Sequence, residues 1–161
     1  MTERLRIQDL DPYFKDELSR EPGCQHLLRC FSCGLCTATC PVSATTPEFS
    51  PSHIIRQILY GMRQPLLASS ALWHCARCAR CSFQCPQDVR FLDVIQGLRN
   101  LAVRDGLIES EKVARLQGAE RLIQEVRRRL ITEILTGSKA DWDINEAAAR
   151  LIMEAKPELG E

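Results

Sequence analysis

Residues 30–41 read CFSCGLCTATCP, and residues 75–86 read CARCARCSFQCP. Both stretches follow the pattern C-x2-C-x2-C-x3-C-P, and the second begins 45 positions after the first. An internal repeat of this kind predicts two structurally equivalent halves, so we expect a core with approximate two-fold symmetry. The stretches are named the first motif and the second motif below.

The cysteine spacing in both motifs is typical of [4Fe–4S] clusters. A cubane cluster has four iron corners that each need a thiolate, and three cysteines separated by two residues can supply three corners from one loop. In two-cluster proteins with this pattern the fourth cysteine binds the other cluster. The sequence therefore predicts two clusters held crosswise. The predicted ligands are Cys30, Cys33, Cys36 and Cys85 for the first cluster, and Cys75, Cys78, Cys81 and Cys40 for the second.

Other roles for these cysteines stay open at this point. Zinc also accepts four thiolates, and C-x2-C pairs are common in structural zinc sites, so a zinc-binding assembly protein is the alternative from a different class. Free structural thiols are a third reading. Two complete sets of four cysteines, each closed by proline, favour the clusters. The sequence has no nucleophile triad, phosphate-binding glycine loop or nucleotide fingerprint, so no catalytic residue is predicted.

The composition fits one domain with a helical extension. The 161 residues include 21 basic and 21 acidic side chains, a balance that gives no broad attraction to nucleic acid or to an anionic membrane. Apolar runs stay below the roughly 18 residues of a membrane span, and residues 1–10 are too polar for a secretory signal. We therefore expect a cytoplasmic protein, in which clustered cysteines bind metal or react and disulfides rarely persist.

Helical signals dominate the rest of the sequence, and no alternation of useful length predicts a β-strand. Capping residues and prolines mark expected helix starts at Asp11-Pro12, Ser50-Pro51 and Ser110. The helix after Ser50 is predicted to reach about Arg63, and the helix that begins at about Phe91 is predicted to stop at Gly106. Further helices are expected at 66–73, 110–135 and 144–155.

These signals predict an all-α fold in three parts. The parts are an N-terminal helical arm at 1–23, a two-cluster domain at 24–106 and a C-terminal helical extension at 107–161. The helices of the extension are longer than two cluster-binding loops can cover. We therefore expect part of their apolar stripe to dock on a partner protein.

Several residues near the motifs are secondary candidates. Cys24 lies outside both motifs and is expected to be a free, partly buried thiol. His74 precedes a ligand and is either a capping residue or a hydrogen-bond donor to a cluster sulfur. Arg77 and Arg80 are either solvated or raise the potential of the second cluster. Gly34 permits close backbone approach to a sulfur, and the second motif has no glycine there, so the two clusters are expected to differ in potential.

The chain resembles the C subunit of heterodisulfide reductase (HdrC) and its bacterial relatives. It also resembles, more distantly, the helical ferredoxin half of fumarate reductase iron–sulfur proteins. The resemblance is carried by both motifs, by FSPSHIIR at residues 49–56 and by VIQGLRN at residues 94–100. It spans about residues 25 to 106, and the helices after Glu109 match less specifically.

This resemblance implies an α-helical ferredoxin fold and a place in an oxidoreductase complex. The C subunit of that family passes electrons from a flavin-containing A subunit to the B subunit, which reduces a disulfide. The resemblance thus implies no substrate site on this chain. It also implies A-like and B-like heterodisulfide reductase proteins as partners, and the eight cysteines of the motifs map onto the ligands of the family. The alternative with the same chemistry is an electron relay in another complex, such as an aromatic-ring reductase.

Overall fold

The computed structural model describes residues 6–136 and 143–155. Within these residues the chain is helical and contains no β-strand, so the predicted all-α fold is confirmed. The α-helices are α1 (Phe14–Ser19), α2 (Leu35–Ala38), α3 (Pro41–Thr45), α4 (Pro51–Leu59), α5 (Arg63–Leu67), α6 (Arg80–Gln84), α7 (Phe91–Arg104), α8 (Ser110–Thr136) and α9 (Ile144–Ala155). Short 3-10 helices lie at Ile7–Asp9, Leu27–Arg29 and Ser70–Trp73. Among the described helices, none is both long enough and apolar enough to cross a bilayer.

Packing divides the chain into two compact units, residues 1–108 and residues 109–161. The first unit has one apolar core, to which α1, α4, α5 and α7 all contribute. Its largest fully buried side chains include Phe14, Leu18, Leu27, Phe49, Ile58, Leu66, Leu72, Phe91, Ile95 and Leu98. Partly buried cysteines of both motifs pack against this core. The predicted three-part division of the chain stays a prediction.

Helix α4 begins where the sequence predicts but ends earlier. The hydroxyl of Ser50 accepts a hydrogen bond from a backbone N–H of the first turn, as an N-cap should. The helix ends at Leu59 because Gly61 has a φ of +75°, which lies outside the right-handed helical region. The carbonyl of Gly61 accepts a hydrogen bond from the backbone N–H of Asp11 at 2.8 Å, and Arg63 begins α5 instead.

Helix α7 runs through the core as predicted. Phe91, Val94 and Leu98 are buried along one face of the helix, at the spacing of an apolar stripe. The helix ends at Arg104, and Gly106 follows with a φ of +68°, which is the left-handed conformation of a helix C-terminus.

Helix α1 packs within the first unit. Phe14 and Leu18 are fully buried. The guanidinium of Arg63 forms ion pairs with Glu17 at 3.1 Å and with Asp105, and its central carbon lies 5.7 Å from the centroid of the Phe14 ring. These contacts join the N-terminal segment to α5 and to the residue that caps α7.

The second unit consists of α8 and α9, which pack against each other. Val126 and Leu151 are buried between them, and Leu122 and Leu130 pack partly buried around that pair. Both helices begin at the predicted residues, and α8 extends one residue past its predicted end. This small core leaves much of the apolar surface of the two helices exposed.

Candidate metal centre

The two motifs adopt the same backbone conformation at corresponding positions. Ser32 and Arg77, each two residues after the first cysteine of its motif, have φ values of 60° and 53°. Gly34 and Ala79 precede α2 and α6 and have φ values of 82° and 61°. A non-glycine residue in this region is uncommon, so its recurrence in both motifs indicates that the loop geometry is set by the same requirement.

The backbone conformation at position 34 explains why a glycine stands there. A Cβ added at this position would meet no protein atom within 4 Å, so the protein itself does not crowd it. The left-handed φ is the feature that favours glycine there. In the second motif Ala79 adopts that conformation at a steric cost of roughly 1–2 kcal/mol, which the surrounding structure must offset.

Two cavities lie at the cysteine loops of the first unit. The first has about 380 Å³ of empty space, part of it open to solvent, and the second has about 320 Å³. The cysteines that line the first cavity are Cys30, Cys33, Cys36, Cys81 and Cys85. Those that line the second are Cys40, Cys75, Cys78 and Cys81.

All eight predicted ligands therefore line one of the two cavities. Each cavity receives the fourth cysteine of one motif beside the first three of the other. Cys81 and Phe91 line both cavities, so the cavities adjoin. A donor set of thiols in apolar surroundings suits iron–sulfur clusters, for which cysteine thiolate is the usual ligand.

A zinc site differs in geometry, since its four ligands lie about 2.0–2.3 Å from one ion. Among residues 6–136 and 143–155, no group of three or more His, Cys, Asp or Glu side chains is arranged to hold a single metal ion. A cluster instead distributes four thiolates over four iron atoms.

Burial raises the pKa of several thiols in the cavities. It raises that of Cys81 to about 11 and also raises that of Cys75, where the nearby thiol of Cys40 adds to the effect. Cys40 and Cys75 come from different motifs and line the same cavity. Since ligands bind as thiolates, cluster binding must displace the protons that these thiols carry at neutral pH.

Backbone N–H groups point at two sulfurs of the first cavity. The N–H of Ser32 donates to Sγ of Cys30 at 3.4 Å, and the N–H of Val89 donates to Sγ of Cys85 at 3.4 Å. Hydrogen bonds of this kind stabilise thiolate charge and help to set the potential of a cluster.

Solvent reaches the second cysteine of each motif. Cys33 and Cys78 are exposed, whereas the other six predicted ligands are half-buried. The phenylalanines within the motifs are also exposed, Phe31 to 59% and Phe83 to 89%. Neither residue lines a cavity.

The structure places the secondary candidates in simple surroundings. Cys24 is fully buried rather than partly buried, and its thiol donates to the carbonyl oxygen of Asp93 at 3.4 Å. Burial, together with nearby carboxylates, raises the pKa of this thiol to about 12.

The backbone N–H of His74 caps the 3-10 helix Ser70–Trp73. A hydrogen bond from the His74 side chain to a cluster sulfur stays a prediction. Arg77 donates to the side chain of Gln96 at 3.1 Å.

Arg99 is the residue near the site that the sequence did not reveal. Its side chain is buried on α7, only 5% exposed. Nε donates to the carbonyl oxygen of Leu72 at 2.8 Å, and Nη2 lies 3.5 Å from the carbonyl oxygen of Cys75. The guanidinium also lies 5.2 Å from the ring centroid of Trp73. The one available signal was its position in the apolar stripe, four residues after Ile95.

Comparison with known proteins identifies the cysteine-rich region. The family model described as 4Fe-4S dicluster domain matches residues 26–89, which include both motifs. The predicted pair of [4Fe–4S] clusters is confirmed at this level.

Curated relatives carry the same likeness over a longer stretch. The C subunit of the H(2):CoB-CoM heterodisulfide,ferredoxin reductase of Methanothermobacter thermautotrophicus is 33% identical over 104 residues, covering 65% of this chain and 55% of that protein. The C2 subunit of the H(2)/formate:CoB-CoM heterodisulfide,ferredoxin reductase of Methanococcus maripaludis is 38% identical over 109 residues, covering 63% of this chain and 58% of the relative.

A third relative shows the same likeness. The C subunit of the Ferredoxin:CoB-CoM heterodisulfide reductase of Methanosarcina acetivorans is 37% identical over 95 residues, covering 59% of this chain and 37% of that protein. The chain spans about half the length of the curated relatives it matches, or less. The chain is therefore an iron–sulfur protein similar to the C subunit of heterodisulfide reductase, and it carries two [4Fe–4S] clusters.

Proposed function

We propose that this chain is the electron-relay component of a cytoplasmic, heterodisulfide reductase-like complex. In this role it accepts electrons from a flavin-containing, A-like protein and delivers them to a disulfide-reducing, B-like protein. The observation that supports a relay is the pair of adjoining, cysteine-lined cavities that share Cys81 and Phe91. Bound clusters supply one-electron redox chemistry, and adjoining sites keep the transfer distance short.

The ligand sets that we propose are the crossed ones. The lining of the cavities supports Cys30, Cys33, Cys36 and Cys85 for the first cluster, and Cys75, Cys78, Cys81 and Cys40 for the second. Cys81 borders both cavities, so the lining alone is compatible with either assignment of that residue. The C-x2-C-x2-C spacing favours its place with Cys75 and Cys78.

The exposed ligands suggest where electrons enter and leave. Cys33 borders the first cavity and Cys78 the second, and both are exposed. A partner that covers either cysteine would bring its own redox centre close to a cluster. The chain thus offers one exposed ligand for each cluster, as a relay between two partners requires.

The decisive test uses the anaerobically purified complex that contains this chain. We expect about eight irons and about eight sulfides per chain, and a brown protein whose visible absorption bleaches on reduction. In rapid mixing, electrons should pass from the flavoprotein to the disulfide-reducing protein only when this chain is present. A colourless, zinc-bearing chain, or equal transfer without the chain, would contradict the proposal.

The second unit is the part of the chain that we propose for docking within the complex. It exposes a set of large apolar side chains on both helices: Ile123, Ile131, Ile134, Leu135, Ile144, Ile152 and Met153. Another protein of the same complex is the expected occupant of this surface, since exposed apolar groups of this size mark interaction sites.

Ile123→Asp tests this docking. Ile123 is 63% exposed, so the substitution should leave the fold of the chain intact, whereas a carboxylate buried at an interface without a partner is strongly unfavourable. We expect the variant to lose most of its co-purification with the other proteins of the complex while it keeps its iron. Gln124→Asp, at the adjacent exposed position, is the matched control and should co-purify normally. Equal recovery of both variants would refute docking through this face.

A further inference from the structure

A buried positive charge lies beside the second motif. Arg99 fixes two carbonyl groups of the segment that enters this motif, those of Leu72 and Cys75, and stacks near the ring of Trp73. Arginine remains protonated at all physiological pH values. At 5% exposure its charge is poorly screened by water, so it acts on the neighbouring ligand segment at close range.

The corresponding position beside the first motif is apolar. Helices α4 and α7 follow their motifs in matching register, since buried Ile54, Ile55 and Ile58 correspond to Val94, Ile95 and Leu98. In this register Leu59 of α4 takes the place of Arg99 of α7.

Hydrogen bonds at the helix starts support the same register. The N–H of Ser52 donates to the hydroxyl of Thr37 at 2.9 Å, and the N–H of Leu92 donates to the hydroxyl of Ser82 at 3.5 Å. Thr37 and Ser82 occupy equivalent places in the two motifs. The two halves of the repeat therefore correspond in position, and of the two equivalent residues Leu59 and Arg99 only Arg99 is charged.

Charge also distinguishes the linings of the two cavities. Among the described residues, no Asp, Glu, Lys or Arg side chain lines the first cavity, whereas Arg80 lines the second. Arg80 is less buried than Arg99, so water screens its charge more. Backbone N–H groups donate to Sγ of Cys30 and of Cys85 in the first cavity, but a full buried charge acts more strongly at close range than a neutral N–H dipole.

We propose that Arg99 positions the Cys75 segment and raises the midpoint potential of the cluster at Cys40, Cys75, Cys78 and Cys81 above that of the other cluster. Reduction adds one negative charge to a cluster, and a fixed positive charge nearby favours the reduced form. The first electron that enters the chain then rests on this cluster. The proposal depends on the crossed ligand sets and the relay function given above.

Two substitutions separate charge from structure at position 99. Arg99→Gln keeps a side-chain donor for the carbonyl groups but removes the charge, whereas Arg99→Lys keeps the charge. In redox titrations followed by electron paramagnetic resonance, we expect R99Q to lower the equilibrium constant for reduction of one cluster about tenfold, or about 59 mV for a one-electron couple. R99K should restore most of that shift. Arg56→Gln, at an exposed position on α4, is the matched control and should change neither midpoint.

A second measurement does not depend on how well the position 99 variants fold. In the chain with Arg99 intact, Cys78→Ser should alter the signal of the cluster with the higher midpoint, because Cys78 lines only the second cavity. One shared midpoint, an altered signal in the lower-potential cluster, or equal shifts in R99Q and R99K would overturn the proposal. A chain without about eight irons would instead contradict the proposed function itself.

Discussion

Replacing Cys85 with serine is expected to remove the cluster of the first motif, although Cys85 belongs to the second. Its side chain lines the cavity of Cys30, Cys33 and Cys36, and its Sγ accepts a hydrogen bond from Val89 there. We expect the iron content to fall from about eight to about four per chain, because serine is a poor substitute for a thiolate ligand. Cys40→Ser should have the reciprocal effect on the second cluster.

Double variants distinguish crossed from uncrossed ligation. If the ligation is crossed, Cys30→Ser combined with Cys85→Ser damages one cluster and leaves about four irons. Cys30→Ser combined with Cys40→Ser damages both clusters and leaves almost none. Uncrossed ligation predicts the opposite result for the two pairs.

Iron and sulfide analysis together with electron paramagnetic resonance gives the answer for each pair. Cys24→Ser is the control, because this cysteine is buried away from both cavities and bonded to a backbone carbonyl. It should leave the iron content unchanged.

The sequence carries most of the information about the cluster region because the ligands follow each other closely. The motifs predict which cysteines meet, and the spacing C-x2-C-x2-C requires a compact loop in each half. The start of α4 at Ser50 is equally predictable, since a capping side chain acts within its own first turn. Ser110 is the first residue of α8 and not its cap, although the helix begins at the predicted place. Such features depend on neighbours in sequence and can be read without the fold.

The burial of Arg99 is a feature that the sequence pattern does not predict. The spacing of Arg99 places it on the buried face of α7, but a charged residue is rarely buried unless it is paired, so the sequence pattern alone does not predict its burial. Its partners are the carbonyl oxygens of Leu72 and Cys75, which lie 27 and 24 residues away along the chain. Only the packing of α7 against this segment brings them within reach.

The end of α4 could not be predicted from the sequence for a related reason. Gly61 could have continued a helix at modest cost, and the sequence from Ser50 to Arg63 has the spacing of one helix. The structure bends the chain there so that Gly61 can contact Asp11, 50 positions earlier. A long-range contact thus decides where the helix ends.

Gly61→Ala is therefore expected to be among the most destabilising single changes in the first unit. The left-handed φ of +75° costs a residue with a Cβ roughly 1–2 kcal/mol. The new Cβ would also overlap the backbone carbonyl of Asp11, which cannot move aside as the end of a flexible side chain can. Overpacking of this kind adds about 1–3 kcal/mol, so we expect the free energy of unfolding to fall by about 2–5 kcal/mol.

Gly106→Ala is the matched control for that measurement. Gly106 has a similar φ of +68°, but a Cβ added there would meet nothing within 4 Å. Its substitution should cost only the conformational part, roughly 1–2 kcal/mol. Denaturant titrations under anaerobic conditions, followed by circular dichroism, give both values, and their difference isolates the contact with Asp11. Equal losses of stability in the two variants would mean that the N-terminal segment yields to the new methyl group, and that the junction between α4 and α5 is held by backbone conformation alone.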